Sequence, residues 1–164
     1  MLDVIKALKH PGQIYPFQAE PEIEDMVVLD DPVSFKNVAV SGEYFGAGER
    51  VSLQGEITAV VSSRCAKCLE DVTIPLKAEL DAQFAREPDP EDPDLYSFEG
   101  SKADITDAVR DALLLELPYR FICSEDCKGL CPRCGVNLNH GSCNCKPDTD
   151  PRLAVLEQLL DDKH

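Results

Sequence analysis

Basic charge is what this sequence has least of. Only 16 lysines and arginines face 31 aspartates and glutamates, a formal charge of −15 at pH 7. Nucleic-acid affinity comes largely from neutralising phosphates, so most of such a surface is a poor polyanion binder. Long apolar runs are missing too. No stretch approaches the roughly 20 residues of a membrane-spanning helix. The N-terminal MLDVIKALKHPGQIYPF lacks the unbroken apolar run of about 7–15 residues found in a secretory signal. A soluble, cytoplasmic protein that engages no membrane is therefore expected. Histidine is scarce: His10, His140 and His164 are the three, and none falls into a base–nucleophile set. No Gly-rich phosphate loop precedes a helix, since GEYFGAG lies between strand-like runs. These absences argue against an enzyme and against a small-molecule substrate.

What is present is period-two alternation. Residues 2–9, LDVIKALK, suit a short helix or an edge strand, ended by Pro11 and Gly12. EDMVVLDDPV gives an apolar run closed by Asp31 and Pro32, and Val38 and Val40 alternate in FKNVAVSGEYF. Alternation then runs through Val51, Leu53, Gly55, Ile57, Ala59 and Val61, and again through Val72, Ile74, Leu76, Ala78, Leu80, Ala82 and Phe84. Such runs, with short connections, predict antiparallel strands with one buried face, arranged as a meander. REPDPEDPDLY follows, with three prolines and five acids; it reads as a mobile acidic loop over 86–95. SKADITDAVRDALLLELP carries a helical stripe at Ile105, Ala108, Val109, Ala112, Leu113 and Leu117. Asp104 can cap it and Pro118 stops it, with Leu114 and Leu115 widening the apolar face toward the sheet. A last helix is signalled by Asp150, Pro151 and the stripe Leu153, Leu156, Leu159 and Leu160. The expected fold is α+β: an antiparallel β-sheet meander packed with one main helix, then a cysteine-rich zinc-binding segment and a short C-terminal helix. The corresponding units are a core over 1–118, a metal-binding module over 119–147 and a terminal helix over 148–164.

The richest feature is CSEDCKGLCPRCGVNLNHGSCNC, six cysteines within residues 123–145. In a reducing compartment clustered thiols bind metal more often than they form disulfides. Cys131 and Cys134 flank a tight turn whose Gly135 tolerates the required backbone angles. Cys143 and Cys145 form a second close pair across GVNLNHGS. Together these four can supply the tetrahedral sulfur set of a structural Zn2+ site. Cys123, Cys127 and Cys131, spaced four apart, would align on one helix face, and any of them can replace one of the four. His140 reads as an exposed loop histidine rather than a ligand. Cys65 and Cys68 in CAKC end a strand. They could be half of a second zinc site completed by Cys123 and Cys127, a redox dithiol, or two small residues in a turn. A redox dithiol normally has a helix after the pair, which is not signalled here. One zinc site is expected and the cysteine count permits two. An all-thiolate site leaves no open position for water, so its metal would be structural.

Charge is unevenly spread. Residues 119–147 carry Arg120, Lys128, Arg133 and Lys146 against Glu125 and Asp126, a net +2. Lys128, Arg133 and Lys146 are therefore candidate contacts to RNA or another partner, while the acidic remainder suits a basic protein.

RCAKCLE after a long strand, LLLELPYRFIC at a helix exit, CKGLCPRCGVNLN with CNC behind it, and DPRLAVLEQLL occur in this order. That pattern resembles the YceD family, the large ribosomal RNA subunit accumulation proteins of bacteria and plastids, from the second strand region to the last helix. KGLCPRCGVNLN is its most specific part. The resemblance implies a small, cytosolic, non-enzymatic protein that supports ribosome biogenesis and large-subunit ribosomal RNA accumulation. It implies ribosomal RNA or a basic large-subunit or assembly protein as partner. Some family members lack the cysteine-rich tail, which implies a metal staple rather than a seat of activity. Cys131, Cys134, Cys143 and Cys145 match the metal-type positions, and Cys123 and Cys127 match thiols with no assigned role. Two other classes also suit a thiol-rich chain: a redox sensor with a reactive, low-pKa cysteine, and an iron–thiolate electron-transfer protein, which would be coloured.

Overall fold

The structure is a computed structural model that describes residues 2–87, 92 and 94–145. The expected terminal helix, Lys146 and part of the acidic loop lie outside the described residues. Most of the regular structure is β. β1 (Leu2–Asp3) leads into α1 (Ile5–Lys9), so the first segment forms both of the elements its pattern allowed. β2 (Ile14–Ala19), β3 (Met26–Val28), β4 (Asp31–Ala47), β5 (Arg50–Arg64), β6 (Asp71–Ala85) and β7 (Leu95–Ser97) build a six-stranded sheet. β8 (Lys102–Ala103) pairs with β1, and α2 (Thr106–Leu115) follows.

The expected meander holds for β3, β4, β5 and β6, which pair antiparallel in sequence order. It is corrected on either side. β2 pairs with β4 rather than with β3, and β7 runs parallel to β6. β7 pairs only with the end of β6, at Gln83, Phe84 and Ala85, so the chain needs to come back over three residues rather than a full strand length, and a connection shorter than the usual parallel crossover suffices. The first hairpin turn also falls earlier than its proline suggested. Leu29 and Asp30 both have positive φ, 50° and 70°, as a two-residue type I′ turn requires, while Asp31 and Pro32 already belong to β4.

Alternation buries one face. Val51, Leu53, Ile57, Ala59 and Val61 of β5 pack with Val72, Leu76, Ala78, Leu80, Ala82 and Phe84 of β6 in the core. β4 keeps its apolar residues inward despite a change of parity. Val33 and Phe35 precede an irregularity between Lys36 and Ala39, Val38 lies within it, and Val40 and Tyr44 follow it. An inserted residue turns the remaining side chains over, and Asn37, at φ 52°, absorbs the kink. Each large apolar side chain buried here contributes about 1.5–3 kcal/mol.

α2 lays Ala108, Val109 and Leu113 onto this core and packs against β6. Asp104 holds its start: the Asp104 carboxylate accepts the Thr106 amide at 3.0 Å and hydroxyl at 2.6 Å. The wide apolar face expected at its end is narrower. Leu114 is half-buried and Leu115 is 86% exposed, because the helix stops at Leu115 and the chain leaves the sheet there. Among the described residues, no helix is long and apolar enough to cross a membrane.

Candidate metal centres

The end of β5 and the chain after α2 meet at one corner of the sheet. The Ala66 amide donates to the Phe121 carbonyl at 2.8 Å, and the Leu130 amide donates to the Lys67 carbonyl at 3.0 Å. These two bonds lay residues 121–130 alongside the CAKC turn. Gly129, at φ 73°, makes the approach feasible, since a Cβ there would lie 3.0 Å from the Lys67 carbonyl oxygen. The result is one cluster of Cys65, Cys68, Cys123 and Cys127, and a second of Cys131, Cys134, Cys143 and Cys145. Within each, the four sulfurs lie within 4.8 Å of one another. All eight cysteines are free thiols.

The donor set fits a tetrahedral dication. Zinc–sulfur bonds of about 2.3 Å place sulfurs about 3.8 Å apart in a tetrahedron. Cys65 Sγ lies 3.9 Å from Cys127 Sγ, and Cys68 Sγ lies 3.5 Å from Cys123 Sγ. Both clusters are thus placed to bind a metal ion, and four thiols suit zinc.

Local structure aims the sulfurs. In the first turn the Leu69 amide donates to the Cys65 carbonyl at 2.9 Å, and Leu69 takes φ 62°. In the second the Gly135 amide donates to the Cys131 carbonyl at 2.9 Å, with Gly135 at φ 71°. The two turns are the same device, built once on leucine and once on glycine. Backbone and amide donors then surround the sulfurs. The Cys123 amide points at Cys65 Sγ at 3.4 Å, and Asn139 Nδ2 at Cys127 Sγ at 3.3 Å.

These donors control ionisation. Burial opposes charge on the Cys65 thiol, but the amides of Cys123, Cys68 and Lys67 outweigh it and pull it down to about 6. The amides of Cys134 and Arg133 bring Cys131 down to about 6. Asn139 is the main cause of the lowering at Cys127. Neighbouring sulfurs act in the other direction. The Glu70 amide favours ionised Cys68, yet burial and the sulfurs of Cys65, Cys123 and Cys127 push that thiol well up. Cys145 is pushed up to about 12, chiefly by Cys134. Each cluster thus holds a thiol ready to ionise near neutral pH beside others that keep their protons against accumulating negative charge. A dication at the centre reverses that repulsion, so binding would release protons.

The redox-dithiol geometry is not met at Cys65 and Cys68, because the chain after them enters β6 rather than a helix. Residues 119–145 also hold no helix, so Cys123, Cys127 and Cys131 share no helix face; Cys131 joins the second cluster. His140 stays exposed and belongs to neither cluster. Its Nε2 donates to Glu70 Oε1 at 2.6 Å, which holds the Glu70 carboxyl below the usual carboxylate range. The Cys68 thiol reaches Glu70 Oε2 at 3.5 Å. Lys128 and Arg133 are exposed on the same segment. Neither Asn139 nor Glu70 was flagged by sequence reasoning. Neither is a cysteine or sits in a periodic pattern, and NLN repeats only the residue type, not its contact.

A family model for large ribosomal RNA subunit accumulation protein YceD matches residues 53–160. An uncharacterized protein of Mycobacterium tuberculosis is 32% identical over 173 residues, spanning 97% of this chain and 80% of its own. YlbN, an uncharacterized protein of Bacillus subtilis, is 31% identical across 92% of this chain and 90% of its own. The chloroplastic large ribosomal RNA subunit accumulation protein YCED homolog 1 of Zea mays is 27% identical across 68% of this chain and 49% of its own. No solved structure matches the chain.

Proposed function

The chain belongs to the YceD family, and from that premise we propose a non-enzymatic factor, acting in the cytoplasm, that supports accumulation of large-subunit ribosomal RNA by binding a basic ribosomal or assembly protein. Two structural zinc ions, each in a closed four-thiolate site, hold its C-terminal segment in shape. Cys65, Cys68, Cys123 and Cys127 ligate one; Cys131, Cys134, Cys143 and Cys145 ligate the other. The carrying observation is the grouping of all eight cysteines into two sets of four, each with its sulfurs within 4.8 Å of one another, and with separations of 3.9 and 3.5 Å in the first set that suit a tetrahedral ion. When bound, each ion supplies a cross-link and no open coordination position. The chain's own part is to deliver the sulfurs and to donate amide hydrogens to them.

Charge supports a basic protein as the partner. On the outward face of the sheet Glu56 stands directly opposite Glu79, and Gln54 opposite Asp81. Opposed like charges on neighbouring strands are destabilising unless something neutralises them. With Glu43 they line a shallow concavity of about 690 Å³ flanked by Ile14 and Phe45. A lysine- and arginine-rich segment is the complementary occupant. Lys128, Arg133 and Lys146 remain the candidate contacts should ribosomal RNA be touched directly.

Metal analysis of freshly purified protein tests the sites: two zinc ions per chain are expected, with no visible absorption. Colour from thiolate-bound iron, or one ion or none, overturns this part. Pull-down at low and moderate salt tests the partner. Recovery of a basic large-subunit protein after RNase treatment supports the reading, whereas ribosomal RNA that stays bound after protein removal overturns it.

A further inference from the structure

The connection between the two cysteine pairs of the second cluster, residues 135–142, does more than span them. From it, Asn139 reaches out of its own cluster and into the other. Its side-chain amide is used at both ends: Oδ1 accepts the Lys128 amide at 2.8 Å, and Nδ2 donates to Cys127 Sγ at 3.3 Å. Asn139 therefore grips the Cys127–Lys128 step as a backbone strand would, and adds a donor to a sulfur of the first cluster. The grip is itself supported. The Asn139 amide donates to Asn137 Oδ1 at 2.9 Å, and the Leu138 amide to the Gly129 carbonyl at 2.9 Å. The next residue, His140, crosses to Glu70, whose carboxylate faces Cys68. One short loop thus touches the surroundings of the first cluster on two sides.

The ends of this loop are Cys134 and Cys143, both in the second cluster. An ion there closes the loop at both ends and removes most of the conformational freedom that placing Asn139 would otherwise cost. Groups that orient and hydrogen-bond ligands commonly change metal affinity by about 10–100-fold. Resting on the two-site reading above, we propose that Asn139 is a positioning residue for the first metal and that it couples the two sites, so that an ion held by Cys131, Cys134, Cys143 and Cys145 tightens the ion held by Cys65, Cys68, Cys123 and Cys127. Coupling of binding free energies is reciprocal, so the first ion tightens the second by the same factor.

A double-mutant cycle on the full chain tests this. Zinc affinity of the first site is measured by competition with a chromogenic chelator, with zinc content determined for each variant. Asn139→Asp keeps the acceptor for Lys128 and the shape of the side chain but cannot donate to sulfur. Asn139→Ala removes the donor without adding charge. The pair Cys143→Ser/Cys145→Ser removes the second site. Each is expected to weaken the first site about tenfold, and Asn139→Ala combined with the serine pair is expected to be no worse than either alone. By reciprocity Asn139→Ala should weaken the second site by the same factor when the first is filled; unchanged affinity in the Asn139 variants, or a multiplicative loss in the combined variant, overturns the coupling. Wild-type protein with fewer than two zinc ions overturns the two-site reading and this proposal with it; two ions with no effect of Asn139 removes the coupling alone.

Discussion

The two cysteine clusters differ in what they join. The first draws Cys65 and Cys68 from the β5–β6 connection and Cys123 and Cys127 from beyond α2, with Cys65 and Cys127 separated by 62 positions. The second is local, contained within residues 131–145. Their burial follows. Cys65, Cys68 and Cys127 are part of the hydrophobic core, whereas Cys134 and Cys145 are exposed. A cross-link that closes a long loop removes more freedom from the unfolded chain than one that closes a short loop. With ions bound as proposed, the first cluster would act as a tertiary clasp between the sheet and the segment after α2, and the second would set the shape of that segment itself. They also share a turn but not its residue. Glycine adopts the left-handed angle of the second turn without steric penalty, while Leu69 in the first meets it with a side chain, at about 1 kcal/mol.

That contrast can be broken most directly at the clasp. Cys65→Ser/Cys68→Ser should lose one zinc ion and lower stability by on the order of 4 kcal/mol in denaturant unfolding, the scale of a lost structural metal. Cys143→Ser/Cys145→Ser should also lose one ion but shift the unfolding of the sheet by no more than about 1.5 kcal/mol, close to the tenfold coupling above. Equal losses would mean the clusters are not different in kind. Next is the turn residue. Gly135→Ala meets no neighbouring atom, so its cost should be the backbone angle alone, about 1 kcal/mol by thermal unfolding of the metalated protein. Leu69→Gly should be near neutral, because relief of the left-handed angle is offset by glycine's greater unfolded-state freedom. A small effect also lies away from both clusters. Asp104→Ala should cost about 0.5 kcal/mol and leave both ions bound. The Thr106 hydroxyl and amide hold the Asp104 carboxyl below its usual range. Its contribution is therefore present above the ordinary aspartate pKa and lost as pH falls through the lowered one, a difference between wild type and Asp104→Ala that acid melts would resolve.

Much of the sheet is legible in the sequence. Val51 to Val61 and Val72 to Phe84 alternate without interruption, and the structure buries nearly every residue of both series. Where a local irregularity intervened, legibility dropped. The turn at Leu29 and Asp30 carries no glycine, and the bulge at Asn37 changes parity, so β3 and β4 had blurred boundaries. The parallel placement of β7 depends on how the chain returns after β6, which periodicity does not encode. Cys131, Cys134, Cys143 and Cys145 were readable as a set because both pairs are close in sequence. The completion of Cys65 and Cys68 by Cys123 and Cys127 stood open among three readings, and only the geometry groups those four.

By itself the sequence determined the buried face of the strands, the helix over α2, and the presence of enough paired thiols to hold a dication. Each follows from interactions between residues a few positions apart, where side-chain spacing and backbone sterics act directly. The tertiary structure decided which sulfurs share a centre, that β7 turns parallel, and that Asn139 bonds a cysteine of the neighbouring cluster. Those outcomes depend on where distant segments return to the sheet, and the return is fixed by packing of the whole core rather than by any local pattern.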